Sequence, residues 1–470
     1  MSEREHPRPE AGPDRTASTT RQGFLQGAAA AGVAATMATS LPGAALAATR
    51  TPRIEVGGPS GNVVWYMNLD APRNKWATNT IIPAFKKANP TINVTLMTVP
   101  WDQFDSKLLA LHASGNSPDV FAQWGQAGGA QYYHHGLLQP LDPLIQRAGW
   151  DLSRVPRNLQ NYYRFDGRLY GVPMYALGTF IFYNKDLFDA AKVPYPPVDW
   201  NDTSWTWDEM VRRAKLLTKN YGQRGNAQYG FYHNFHDLYG SLWMWGAEFF
   251  PPASYKSGVA PSINLTSKEA VAAVQAKVDL IYKHRVSPTP STYTALQGAG
   301  DPITTGKVAM TLAGGWQVWT YSGLPKFNWG IAALPLVKTR ICPTFSDPWF
   351  LSAGSKNATA AFEFIKYLTT GPGERTIASA LSSPPADQRY VADWLKSTPK
   401  VKPEDLKKVQ DGAVAHGREN AASLINGYGQ IEDIYNQMMA PVWQGRAKPA
   451  DVLAQVQNKA NTALQNLGKQ

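Results

Sequence analysis

The 470-residue sequence predicts an α/β protein built as two lobes, with the chain crossing from one lobe to the other and back. Three observations predict it. Residues 62–121 read as strand, helix, strand, helix, strand. Residues 170–186 (YGVPMYALGTFIFYNKD) read as a passage between two compact units. Beyond them a second series of capped helices and short apolar strands begins. A cleft between two lobes is a common seat for a ligand.

In the first lobe, residues 62–68 (NVVWYMN) alternate enough for a strand. Residues 79–88 set Ile81, Ile82 and Phe85 on one helical face, and Asn89-Pro90 ends that helix. Residues 92–99 (INVTLMTV) form a second strand. Residues 101–114 form a second helix with Phe104, Leu108 and Leu111 on its apolar side and Gly115 as its stop. Residues 117–121 (SPDVF) open a third strand. This order argues for a largely parallel open sheet, and such sheets bind ligands beyond the carboxyl ends of their strands. That rule puts Asn68 and Asp70, after the first strand, and Trp124 and Gln126, after the third, at the ligand edge.

At the first crossing, Gly171 permits a turn and Pro173 keeps the backbone extended. Residues 179–183 (TFIFY) form a buried strand, and Asn184 to Asp186 start a helix with Leu187 and Phe188 as its first apolar positions. Thr206 and Glu209 form a capping box, and Thr266 to Glu269 repeats the device before a helix through Ile281. Residues 229–245 are rich in aromatics. Residues 309–313 form a short strand ending in Gly314-Gly315-Trp316, where two glycines let backbone and ring approach a ligand closely. Residues 346–350 (SDPWF) make the second crossing, and 358–368 form a helix back in the first lobe. Residues 384–427 carry no clear pattern. Closing helices at about 431–439 and 449–467 are expected to pack on the second lobe.

The composition, 43% hydrophobic and 17% charged, is that of a globular chain. A single cysteine, Cys342, excludes an internal disulfide framework and a cysteine-based zinc site. Residues 1–47 read as an export signal: TRQGFLQ at 20–26, an Ala/Gly-rich run, then an A-x-A cleavage site at Ala45-Leu46-Ala47. TRQGFLQ resembles a twin-arginine signal in which Gln22 replaces the second arginine, so that route and general secretion both stay open. No cysteine stands at the cleavage point to take a lipid. The leader carries as many acidic as basic residues, so the mature chain keeps the net charge of +11. Its basic groups, such as Lys86-Lys87, Arg212-Arg213 and Lys407-Lys408, are spread over solvated helix faces, which argues against nucleic acid.

Four groups of segments together resemble the extracellular solute-binding proteins of family 1, the sugar-binding receptors of ABC importers, of maltose-binding-protein-like type. They are the first strand and helix through IIPAFKKANP (81–90), then LLALHASGNSPDVFAQWG (108–125) with GLLQPLDPLI (136–145). The third is YGVPMYALGTFIFYNKDLFDAAKVPYPP (170–197) with SWTWDEMVRRAKLLT (204–218). The fourth is GKVAMTLAGGW (306–316), IAALPL (331–336) and PWFLSAGSKNATAAFEFIKYLTT (348–370). The resemblance implies a class II periplasmic-binding-protein-like fold, each lobe a mostly parallel sheet flanked by helices, with hinge crossings between them. The expected division is an export signal at 1–47, the first lobe at 48–173, the second at 174–348, a return to the first at 349–415, and closing helices of the second at 416–470. It further implies an exported, periplasmic or cell-surface monomer that binds a sugar and engages permease subunits, touching the membrane only through them. It implies no catalysis, no cofactor and no metal.

A sugar receptor needs flat rings for apolar C–H faces and amides or carboxylates for hydroxyls. Trp316, after Gly315, is the leading stacking candidate, followed by Trp124 and Trp349, then Trp245 and Tyr428; the competing reading of each is a core aromatic. Asp70 and Asp347 are candidate hydroxyl acceptors, although an Asp after a strand is often only a helix cap. Asn68, Gln126 and Tyr175 are comparable. Two other readings stay open: a secreted carbohydrate-active hydrolase, and a family member taking an anionic or phosphorylated solute. A hydrolase needs two carboxylates across the scissile bond, and no local pattern pairs Asp102, Asp237 and Glu248. His233-x-x-His236-Asp237 has metal-like spacing but lacks the glutamate of a zinc protease and lies in an aromatic stretch, so it reads as structural.

Overall fold

The alternating run expected at 62–68 folds as β1 (Gly61–Met67), with Val63, Trp65, Tyr66 and Met67 buried. The computed structural model describes residues 59–69, 71–122, 127–233, 238–380 and 383–468. The expected export signal therefore lies outside the described residues, as do Asp70, Trp124, Gln126, His236 and Asp237. Further strands follow in order: β2 (Ile92–Thr98), β3 (Val120–Ala122), β4 (Arg164–Phe165), β5 (Arg168–Leu169), β6 (Gly171–Val172) and β7 (Thr179–Asn184). Then come β8 (Tyr229–His233), β9 (Val308–Gly314), β10 (Trp329–Ala332), β11 (Cys342–Thr344), β12 (Trp349–Leu351) and β13 (Gly417–Glu419).

Two larger sheets form the fold. One has the order β2-β1-β3-β12-β6 and the other β10-β7-β9-β8. The strand pairing is mixed where mostly parallel sheets were expected. In the first sheet β1 runs parallel to β2 and β3, but β12 is antiparallel to β3 and β6. In the second, β7 is antiparallel to β9 and β10, and only β8 and β9 are parallel. The reason lies in the crossings. β7 and β12 enter their sheets from the junction and run away from it, while their neighbours run towards it. Parallel pairing survives where a helical crossover returns the chain to the same sheet edge.

Several local expectations are corrected in detail. The helix expected at 79–88 begins earlier, as Ala71–Trp76, passes through a wider π-helical turn at Ala77–Ile81, and ends as Ile82–Ala88. Gly171 does not make a turn. It sits inside β6, where a Cβ atom would meet the Phe350 ring at 2.7 Å and Pro348 Cβ at 2.9 Å, so close strand packing requires it. Thr206 caps its helix as expected, its Oγ1 accepting from the Glu209 N–H at 3.2 Å. In the repeat of that pattern the cap is Ser267 rather than Thr266. Ser267 Oγ accepts from the Ala270 N–H at 3.2 Å, and the helix runs Lys268–Tyr282.

Three larger hydrophobic cores, and a small fourth one around Tyr229, Tyr232 and Tyr293, hold these elements. The first gathers residues of β1, β3 and β12 with helix Ala358–Thr370, and Trp65 lies at its centre against Trp76, Trp349 and Phe364. Burying each such large side chain contributes roughly 1.5–3 kcal/mol. The second core gathers β7, β9 and β10 with Trp205, Met210 and Ala214. It also takes Ala378, Trp394, Leu406, Val409 and Ala413, a stretch that the expected division assigns to the first lobe. The third joins residues 242–278 to the closing helices Tyr428–Met438 and Pro449–Leu467, which bury Ile431, Ile434, Leu453, Val456 and Leu464 against them. Among the described residues, no helix is long and apolar enough to cross a membrane.

The capping geometry gives a direct test. Ser267→Ala should lower unfolding free energy by about 1 kcal/mol in urea titration, and Thr266→Ala by much less. Equal losses would refute the assigned cap.

Candidate ligand site

Three chain segments lie side by side where the two sheets meet. In the first two, Leu177 and Phe345 exchange backbone hydrogen bonds at 2.9 and 2.8 Å, and the Met174 N–H donates to Ser346 O at 2.9 Å. The third segment joins them through parallel pairing of β11 with β13, and the Asn420 N–H donates to Thr344 O at 3.0 Å. Thr179 Oγ1 donates to Pro343 O at 2.8 Å. Extended backbone buried at a junction must have its polar groups paired, and these crossings pair one another.

Two buried carboxyl groups stand at this junction. Asp347 accepts a hydrogen bond from the Tyr175 hydroxyl and sits at φ +29°, a strained value for a non-glycine residue. Glu419, at the end of β13, accepts from Tyr163 Oη at 3.2 Å, Asn420 Nδ2 at 3.0 Å and Ser423 Oγ at 3.0 Å on Oε1, and from Ser346 Oγ at 3.1 Å on Oε2. Burial first, and then the Asp347 charge, pushes its carboxyl up to about 8.

Beside the crossings, β9 ends at Gly314 and helix Trp316–Ser322 begins. A Cβ on Gly314 would lie 2.1 Å from the Trp316 ring, so only glycine lets that indole fold back over the strand end. The Gly315 N–H donates to Gly178 O at 2.7 Å, tying this turn to the first crossing. Trp316 is half-buried and packs edge-on to Phe345, with centroids 5.1 Å apart. One helical turn on, the Arg73 guanidinium lies 3.8 Å from the Trp319 ring centroid.

A cavity of about 350 Å³ opens near the same junction. It is lined by Tyr162, Trp243, Glu248, Tyr255, Arg418 and Glu419, together with Pro252 and Leu424. Glu248 Oε1 accepts from Arg418 Nη1 at 2.7 Å, and the Arg418 guanidinium stands 5.4 Å from the Trp243 ring centroid. The other carboxylate oxygen, Glu248 Oε2, is shielded from solvent and has no hydrogen-bond partner among the described residues. The wall therefore offers aromatic surface and a paired cation and anion.

The structure brings some expected site residues together and separates others. Tyr175 and Asp347 bond directly, and Gly315 and Trp316 adjoin the same crossing. Asn68 lies at the end of β1, and its amide donates to Val99 O at 2.8 Å, holding the loop after β2. Trp245 packs edge-on to Trp207 at 4.9 Å, between the second and third cores. Trp349 is fully buried in the first core against Trp65, and Tyr428 is 2% exposed within the third. None of these residues lines the cavity. The residues that do were not singled out for ligand contact from sequence. A signal was present for Trp243 and Tyr255, which lie in or near the aromatic-rich stretch, but none for Arg418 and Glu419. His233 is buried, with Nε2 3.1 Å from Ser241 Oγ. Among the described residues, no group of three His, Cys, Asp or Glu side chains is placed to hold a metal ion.

Residues 74–373 match the family model described as bacterial extracellular solute-binding protein. The galactooligosaccharide-binding protein of Bacillus subtilis is 24% identical over 329 residues, 66% of this chain and 70% of that one. An ABC substrate-binding protein of Listeria monocytogenes, solved in complex with cycloalternan, superposes with a TM-score of 0.72 at 20% identity, covering 86% of this chain and 99% of the other. The cyclic alpha-maltosyl-1,6-maltose binding protein of Arthrobacter globiformis gives 0.66 at 21% identity, covering 87% and 100%.

Tyr175→Phe removes one donor from a buried carboxylate and should cost roughly 1–2 kcal/mol of unfolding free energy in urea titration. A neutral result would show that the Tyr175–Asp347 bond does not fasten the crossings.

Proposed function

The chain belongs to the bacterial extracellular solute-binding protein family, and from that premise we propose that it captures an oligosaccharide outside the cytoplasm and passes it, unaltered, to an ABC importer. The observation that carries this reading is the cavity of about 350 Å³, in which Tyr162, Trp243 and Tyr255 stand beside the Glu248–Arg418 pair. Its volume lies at the small end of the range for small-molecule sites. The Tyr162 and Tyr255 rings meet the C–H faces of a sugar, while Arg418 donates to its hydroxyls. Trp316 adds a further ring beside the crossings. The sugar-binding names of the Bacillus and Arthrobacter relatives, and the cycloalternan bound to the Listeria protein, favour the same class of ligand.

The charge on the cavity wall favours a neutral sugar over an anionic solute. Arg418 is already paired with Glu248, so no net positive charge faces a ligand there. The overall +11 belongs to the chain as a whole and not to this wall. The crossings act as the hinge, and a ligand held from both sides stabilises the closed form because it contacts both lobes only there. Permease subunits read that form. The leader is cleaved near Ala47, and the mature protein acts as a monomer.

A thermal-shift panel of mono- and oligosaccharides on the mature chain tests the reading, because a bound sugar raises the melting temperature by mass action. The expected result is a shift with at least one neutral oligosaccharide, recovered intact. Hydrolysed sugar would establish the hydrolase instead. With the sugar found, Trp316→Ala and Arg418→Ala should each weaken affinity by about 2 kcal/mol and leave the fold intact. A variant with unaltered affinity removes that residue from the site.

A further inference from the structure

The crossings hold one carboxyl group that sugar capture alone does not explain. Glu419 is 1% exposed yet contributes to the cavity wall. It is set among hydroxyls and an amide, while the neighbouring cation, Arg418, is turned to Glu248. The charged and titratable groups around it are few. Asp347, on the second crossing, is the anion that acts on it, and Tyr175 binds Asp347 from the first. Tyr162 and Tyr163 come from the turn before β4. Burial is the main cause that pushes the Tyr162 phenol up to about 12 and that of Tyr163 well above its ordinary value, so both are neutral. Arg418 and Glu248 form a pair of their own beyond it.

A proton on Glu419 fits this geometry with no bond lost. With Oε2 protonated the Ser346 hydroxyl turns round: Oε2–H then donates to Ser346 Oγ across the 3.1 Å contact, Ser346 Oγ–H to Tyr163 Oη across 2.8 Å, and Tyr163 Oη–H to Oε1 across 3.2 Å. The three groups close a ring that joins β13, the second crossing and the first-lobe turn carrying Tyr163. The ionised form keeps four donors but sets a second buried anion near Asp347 with no cation turned to it.

We propose that Glu419 is a proton-carrying positioning residue of the capture site: its neutral carboxyl fastens β13 to the two crossings beside the cavity, and loss of that proton loosens them, so that capture depends on ambient pH. The placement beside the capture site rests on the functional reading above; the fastening itself does not. The sign follows from linkage. The folded chain holds this proton more tightly than the unfolded chain does. The stabilisation is therefore full below the ordinary carboxylate range, declines as pH rises, and is gone above about 8.

Hydrogen–deuterium exchange on the sugar-free mature protein tests this, at pH 6.5, 7.5 and 9 with correction for intrinsic rates. Peptides covering 162–179, 342–352 and 415–424 should lose protection between pH 6.5 and 9, by about tenfold or more in exchange rate, while strands β7 and β9 beyond residue 179 hold theirs. Glu419→Gln, which carries no titratable proton, should keep protection at the crossings flat across that range. An equal loss in the variant, or flat protection in the wild type, overturns the proposal. Should the variant fail to fold, the wild-type profile alone decides: flat protection refutes it, and a selective loss at the two crossings and β13 supports it. Because no sugar is present, the outcome is separable from the receptor reading, which fails only if no sugar binds.

Discussion

The constraint on which the rest of the structure depends is the satisfaction of polar groups where two extended segments pass between two sheets and a third, β13, pairs alongside them. A buried backbone N–H or C=O left unpaired costs as much as a lost hydrogen bond. Leu177 meets that demand with Phe345, and β13 meets it with β11. Side chains complete the arrangement: Tyr175 with Asp347, and Tyr163 and Ser346 with Glu419. The strand directions follow from the same passage. β7 and β12 leave the junction outward, so each runs against neighbours that head towards it.

That arrangement also explains why the chemistry gathers where it does. The crossings belong to neither sheet's interior, so polar side chains are tolerated there if they are paired. The cavity opens beside them, between Tyr162 on one side and the 243–255 and 418–424 segments on the other. A solute held there touches groups carried by different parts of the fold, which is the condition for a ligand to shift an equilibrium between open and closed forms. Family membership gives the general role, and the proposed location of that role is the cavity.

Much of the fold was legible from local pattern. TFIFY became β7 because aromatic and β-branched residues suit a fully buried strand, and Thr206 capped its helix because the hydroxyl and its partner are three residues apart. What failed depended on distant contacts. The Gly171 sequence reads as a turn, and only the Phe350 ring, 179 residues on, shows it to be a packing requirement. Trp349 looks the same in sequence whether it faces a ligand or Trp65, and the return of the chain through the sheet places it against Trp65. Arg418 and Glu419 lie on a three-residue strand whose partner is 75 residues away, so no periodicity marks them. Ser267 displaced Thr266 because both fit the pattern and only the backbone geometry distinguishes them.

Small-angle X-ray scattering of the mature protein, with and without a saturating neutral oligosaccharide, tests the central claim most directly. A hinged pair of lobes fastened at the crossings predicts a smaller radius of gyration in the presence of sugar, reversed when the sugar is dialysed away. An identical scattering profile with sugar demonstrably bound would contradict the hinge, and with it the account of what the crossings are for.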